Sequence, residues 1–308
     1  MEEKKSKIGC GGCGANIEVL EYAYSKGVTT MDSGWGYQNE HGFDRILGGF
    51  LEKHKDEREK FQIINKLPLF DELYKKRFGW SLGDASDEQL EYGIRDILKE
   101  QLEICHTTYF DRYLMHALDD DRHSDNRVLD LDLYKRIIKI LIKIKKEGLI
   151  KHIGFSAHIN FERLYFLVSE FKKEFGDEVD TAEVAYNVLN NTGVDEFHPS
   201  RFAQMHGIMV WDSVGEKGIQ FLKDNGYYLI CMMPLESGRV TQITSAPDWI
   251  KWCLRFVMDN KNFDIYLSGT SYTKHLDGFL IAAGEMKDPN PVPDMRIINA
   301  GAPSHCHE

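Results

Sequence analysis

Gly27-Val28-Thr29-Thr30-Met31-Asp32-Ser33-Gly34-Trp35-Gly36-Tyr37 sets a short β-branched run between glycine turns and gathers polar and aromatic residues at its downstream end. Side chains branched at Cβ pack well on a pleated surface, and the glycines mark where the chain turns. The run reads as a strand over Thr29–Ser33. Its C-terminal end delivers Asp32 and, five residues later on the Gly34-Trp35-Gly36 turn, Tyr37. Working outward, the same strand-then-helix alternation continues along the chain. Strands are expected at Ser6–Cys10, Phe61–Lys66, Phe110–Met115, His152–Ser156, Thr181–Ala185, Tyr228–Met232 and Asp264–Ser268.

Between them lie amphipathic stretches. Leu90, Ile94, Ile97, Leu98, Leu102 and Cys105 share one helical face from Asp87 to Cys105, opened by a Ser86/Gln89 capping box. Leu133, Ile137, Ile140, Leu141 and Ile144 form a second stripe ending at Gly148, and Leu164, Leu167, Val168, Phe171 and Phe175 a third ending at Gly176. Eight such units in 308 residues predict an α/β fold of the TIM type, a (β/α)8 barrel over residues 1–281. Pro289, Pro291, Pro293 and Pro303 predict an extended C-terminal tail over 282–308, crossing the barrel mouth. A doubly wound sheet, which binds a dinucleotide through G-x-G-x-x-G after a strand, ranks second, because the glycine-rich Gly9, Gly11, Gly12 and Gly14 are read as not fitting that spacing.

Composition narrows the class. With 42% hydrophobic and 28% charged residues the chain is neither disordered nor collagen-like. A net charge of −11 opposes a polyanion, so no nucleic-acid partner is expected. Met1–Lys7 is mostly charged and lacks the apolar core of a signal peptide, and Lys139 and Lys143 interrupt the most apolar helical stretch, Ile137–Ile144, so no membrane association is expected. Six irregularly spaced cysteines suit reduced thiols and a cytoplasmic location. Cys10 and Cys13, with His305-Cys306-His307 at the end, make only a weak metal signal, and no metal is expected.

Four polar residues fall where strands hand over to loops: Asp32, Tyr37, Lys66 and His116. A phenol ordinarily titrates near 10. An ammonium beside it favours phenolate, so Lys66 is expected to lower that value, Asp32 to hold Lys66, and His116 to orient a carbonyl oxygen. Each residue alone has a plain structural reading. Together, at consecutive strand ends, they suit hydride transfer to carbon with proton transfer to oxygen.

On these residues the chain resembles the aldo-keto reductase family. Gly27 to Tyr37 is similar to the family's aspartate and tyrosine five apart, Ile63-Ile64-Asn65-Lys66 to its lysine strand, and Tyr109 to His116 to its histidine strand. Ile150 to Ser156, Glu183 to Asn187, Met232 to Leu235 and Tyr266 to Ser271 resemble strands five to eight. The flavour is that of the subgroup often fused to a ferredoxin-like tail, whose cysteine motif is absent here. The resemblance implies an oxidoreductase that moves a hydride between NADP(H), favoured over NAD(H), and a small carbonyl or alcohol substrate, with Tyr37 as general acid/base. It further implies that Gly11 and Gly12 pack against cofactor, that Ser156 and Glu183 lie near the carboxamide, and that Met232 lies under the ring. Pro234, Leu235, Gly238 and Arg239 follow the pyrophosphate, and Ser268, Thr270, Ser271 and Lys274 hold the adenosine end. Ala157 and Glu183 depart from the family's usual asparagine and glutamine. The competing classes are a nucleotide-binding barrel without turnover, acting as sensor or subunit, and an elimination or isomerisation enzyme retaining the four residues. Phe70, Phe78, Trp80 and Trp211, in loops expected at the mouth, suggest an apolar or ring-bearing ligand.

Overall fold

In a computed structural model, which describes residues 5–118, 130–189, 214–243 and 247–291, eight parallel strands follow one another in sequence order and close into a barrel. They are β1 (Ile8–Gly11), β2 (Thr30–Asp32), β3 (Gln62–Leu67), β4 (Phe110–Leu118), β5 (Ile150–Ala157), β6 (Val179–Ala185), β7 (Tyr228–Met232) and β8 (Ile265–Ser268). The barrel expected from the strand–helix alternation is the fold observed. Gly9, Gly11 and Gly14 do stand at G-x-G-x-x-G intervals, yet β1 is paired on both sides, to β2 and to β8. Closure, not glycine spacing, excludes the doubly wound sheet.

The described helices are α1 (Ile17–Ser25), α2 (Gly42–Lys53), α3 (Asp71–Phe78), α4 (Asp87–Ile104), α5 (Leu131–Lys146), α6 (Phe161–Phe175), α7 (Gly215–Asp224), α8 (Val240–Ile243), α9 (Pro247–Asp259) and α10 (Thr273–Ala282). The Ser86 hydroxyl accepts from the Gln89 N–H at 3.2 Å while the Gln89 side chain accepts from the Ser86 N–H at 2.8 Å, so α4 starts on its capping box. Gly148, at φ +81°, follows α5 as expected of a left-handed C-terminal glycine. No helix among the described residues is long and apolar enough to cross a membrane.

Alternation along the strands sorts side chains between two cores. The larger fills the space between barrel and helices and includes Met31, Ile63, Tyr113, Ile153 and Phe155. The smaller, inside the barrel, holds Ile64, Leu114, Ile230, Ile265 and Leu267. Below this apolar layer a polar floor closes the N-terminal end. There Arg112 donates to the Thr181 hydroxyl at 2.5 Å and lies 3.6 Å from the Tyr228 ring, whose hydroxyl meets Gln62 at 3.1 Å. Above it, at the C-terminal strand ends, the same inward register carries Asp32, Lys66, His116, Ser156 and Glu183.

The chain after α10 begins on the opposite side from that rim. Glu285 accepts from the Lys7 N–H at 2.7 Å, just before β1, and Asp288 pairs with Lys251 and Arg255 on α9, each at 2.9 Å. The expected extended course beyond residue 291 lies outside the described residues.

Candidate active site

Asp32 is the last residue of β2 and sits in register with Gly11 and Ile64 on the flanking strands. Lys66, fully buried on β3, donates from Nζ to Asp32 Oδ1 and to the Ser33 carbonyl oxygen at 3.3 Å. Its Nζ lies 4.9 Å from the centre of the Tyr37 ring. His116 meets the same ring edge-on, centroids 5.8 Å apart and planes at 81°. The structure brings all four residues to one point of the rim.

A β-bulge sets the histidine. The β4–β5 register shifts between Met115 and Leu118, and Ala117 takes φ +54°, with its N–H donating to Ser156 Oγ at 2.9 Å. Such bulges re-aim a side chain next to a site. The tyrosine rests on a strained loop in which Gln38, Asn39 and His41 all have positive φ. Gln38 Nε2 ties that loop to the β1 side by donating to the Gly12 and Ala15 carbonyl oxygens at 2.8 and 2.7 Å. A Cβ on Gly12 would stand 2.7 Å from the Tyr37 ring and 2.5 Å from Phe43. The glycine is therefore required by the tyrosine's seat.

Beneath the four residues lies a support that the sequence reading missed. Asp44, fully buried on α2, accepts from Ser33 Oγ at 2.5 Å and Asn65 Nδ2 at 3.0 Å, and pairs with His41 Nδ1 at 2.7 Å. Those partners are the neighbours of Asp32 and Lys66 and a member of the Tyr37 loop. Gln101 on α4 extends the network to Asn65 Oδ1 and the Lys66 carbonyl oxygen, both at 3.0 Å. The signal was present: Asp44, Leu47, Gly48 and Leu51 fall on one helical stripe, so an acid occupies a core position.

Burial governs the electrostatics. Burial first, then Glu183, push the Asp32 carboxyl well above the usual carboxylate range, against the pull of Lys66. Burial opposes the Lys66 charge, but Asp32, Glu183 and Tyr37 outweigh it and hold the ammonium well above its ordinary value. Lys66 does lower the Tyr37 phenol, as expected; burial, Asp32, Glu183 and Cys13 win, and the net shift is strongly upward. Tyr37 is accordingly held as neutral phenol, not as phenolate.

The residues that would hold a dinucleotide ring this rim. Gly11 ends β1, with ordinary van der Waals room at a Cβ; Ser156 and Met232 end inward registers of β5 and β7. An accepting hydroxyl such as that of Ser156 keeps its own O–H to donate. Pro234, Leu235, Gly238 and Arg239 form the turn after β7, where Met233, Glu236 and Ser237 are all at positive φ. Arg239 Nη1 is 3.6 Å from the buried Glu236 carboxylate. At the end of β8, Ser268 Oγ is buried with no hydrogen-bond partner among the described residues, and beyond the strand Thr270 Oγ1 accepts from the Tyr272 N–H at 3.1 Å. Ser271 Oγ donates to the Gly14 carbonyl oxygen at 2.8 Å, and Lys274 is exposed in the first turn of α10. This donor set fits a nicotinamide dinucleotide. Glu183, in contrast, is spent on Lys66, 3.2 Å away.

Of the mouth aromatics, Phe70 faces His116 at 5.8 Å and Trp35 at 6.1 Å, making an apolar wall. Phe78 and Trp80 instead stack on each other and cover Gly93 of α4. Trp211 lies outside the described residues, as do His305, Cys306 and His307. Cys10 points into the outer core and burial pushes its thiol up to about 12, which leaves it a poor metal ligand at neutral pH.

The model of the aldo/keto reductase family matches residues 15–248, and the chain belongs to that family. Family membership supports oxidoreductase activity. Among solved structures it is similar to an aldo/keto reductase of Klebsiella pneumoniae in complex with NADP and acetate, at 14% identity and TM-score 0.63 over 96% of this chain and 90% of that one. It is also similar to an aldose reductase of Giardia lamblia, at 16% identity and TM-score 0.60 over 92% and 89%. A holo aldo-keto reductase of Bacillus halodurans aligns at 14% identity and TM-score 0.60 over 94% and 89%. A search of curated protein sequences returns no match.

Proposed function

We propose that the chain transfers a hydride between NADP(H) and a carbonyl or alcohol substrate, with Tyr37 as the general acid/base. The observation that carries this reading is the convergence of Lys66 and His116 on the Tyr37 ring, at 4.9 and 5.8 Å, with Asp32 behind the ammonium. Bound nicotinamide supplies or accepts the hydride. Tyr37, kept protonated by burial, gives its phenolic proton to the carbonyl oxygen as the carbon is reduced, and takes it back in the reverse direction. His116 orients that oxygen. Trp35 and Phe70 bound the pocket on its apolar side and favour a substrate with an apolar or ring-bearing flank. The preference for the phosphorylated cofactor rests on Lys274, placed to meet a 2′-phosphate, and on Arg239 for the pyrophosphate. A cytoplasmic location accords with the sparse cysteines.

Mixing the protein with NADPH or NADH and a panel of aldehydes, ketones and sugars, and following nicotinamide absorbance, tests the reading. Tyr37→Phe is expected to lower kcat by about 10²–10⁴. Full activity in that variant would remove the tyrosine mechanism. Failure to bind either nicotinamide would favour a sensor, and binding without turnover an elimination or isomerisation.

A further inference from the structure

Lys66 serves two carboxyl groups, not one. Nζ contacts Asp32 Oδ1 on β2 and lies 3.2 Å from Glu183 Oε2 on β6, and all three side chains are buried to within a few per cent. The ion pair to Glu183 is poorly aimed for a hydrogen bond: neither Glu183 oxygen accepts one from a described residue. Asp32 and Glu183 thus approach one ammonium nitrogen from two walls of the barrel interior. Two carboxylates gathered on one ammonium repel each other, and the ammonium neutralises only one of them. A single proton taken up by the pair removes that uncompensated charge from the dry site.

We propose that Asp32 and Glu183 share one proton across the Lys66 ammonium, making Glu183 a positioning residue of the acid–base site that couples cofactor charge to proton release. With the proton the buried trio is neutral; without it the trio carries one negative charge. Oxidised nicotinamide differs from reduced by a positive charge on the ring, so its binding favours the ionised trio and expels the proton, whereas reduced nicotinamide leaves the proton in place. The other titratable groups facing the trio are Tyr37 on the β2–α2 loop and Cys13 after β1, with His116 on β4 in edge contact with the tyrosine ring. On the inward registers of β5, β7 and β8 stand Ser156, Met232 and Leu267, none of which supplies a compensating charge. The rise of the Asp32 carboxyl under burial and Glu183 agrees with this arrangement.

The coupling rests on the function proposed above; the shared proton does not, and the experiment separates them. Infrared spectroscopy of the cofactor-free protein at pH 7 is expected to show one protonated-carboxyl stretch that is lost in both Glu183→Gln and Asp32→Asn. Absence of that band from the wild-type protein, or its survival in either variant, would overturn the shared proton, whatever the turnover assay gives. Calorimetric titration with oxidised and with reduced NADP(H), in buffers of different ionisation heat, then counts protons. Release is expected with the oxidised form alone, and Glu183→Gln is expected to abolish it and weaken oxidised relative to reduced cofactor by about tenfold. Equal proton counts for the two forms would overturn the coupling.

Discussion

Asp44 ties three segments of the site together without itself reaching the rim residues it supports. It receives Ser33, Asn65 and His41, and so fixes the backbone beside Asp32, beside Lys66 and within the Tyr37 loop at once. Truncation would leave these donors without their acceptor in a dry interior, where each orphaned group costs about 1–3 kcal/mol. Asp44→Ala is therefore expected to lower unfolding free energy by about 3 kcal/mol or more, read from the urea midpoint, while Asp44→Asn, which keeps one acceptor oxygen, loses less. Equal stability of Asp44→Ala and wild type would mean that the network adds nothing to the fold.

Helix α2 translates this anchoring into the placement of Tyr37, because the tyrosine loop runs straight into it. Its packing on α4 is set by close backbone approach: a Cβ on Gly48 would stand 2.0 Å from the Ile104 carbonyl oxygen, whereas Gly49, next along the helix, faces open space. Gly48→Ala forces the two helices apart and is expected to destabilise by about 1–3 kcal/mol. Gly49→Ala, with no clash and better helix propensity, is expected to stabilise by about 0.5–1 kcal/mol. Thermal unfolding of the pair, side by side, distinguishes contact from propensity. Equal shifts in the same direction would refute the α2–α4 contact.

Across the whole molecule, the buried tyrosines, the Cys10 thiol and Lys66 hold their protons to higher pH than in the unfolded chain. Tyr37, Tyr113, Tyr227 and Tyr266 are all raised by burial first, the Cys10 thiol is pushed to about 12 by the same cause, and Lys66 is held up by its carboxyls. In the unfolded chain these groups release their protons near 8.5 for cysteine and 10–10.5 for tyrosine and lysine. The folded protein retains them, so above those values it binds more protons than the unfolded chain, and stability falls as pH rises. The urea midpoint is expected to drop steeply between about pH 9 and 11, less steeply in Tyr37→Phe. A flat profile there would contradict the burial of these groups.

Much of this molecule could be read in its sequence because the deciding forces are local. Short β-branched or aromatic runs alternating with amphipathic stretches gave all eight strands, Ser86 with Gln89 gave the α4 cap, and the five-residue step from Asp32 put Tyr37 on the loop beside that strand end, since each depends on residues a few positions apart. Interactions through space were settled only by tertiary structure. Barrel closure, and not Gly9-x-Gly11-x-x-Gly14, excluded the doubly wound sheet. The bulge at Ala117 aimed His116, and burial reversed the expected fall in the Tyr37 proton affinity. Glu183, which reads in sequence as a cofactor clamp, lies against Lys66 because inward-facing positions of β3 and β6 meet across the barrel interior. Periodicity along the chain assigns a side chain to a face; which charge waits on the opposite wall is fixed only when the sheet closes.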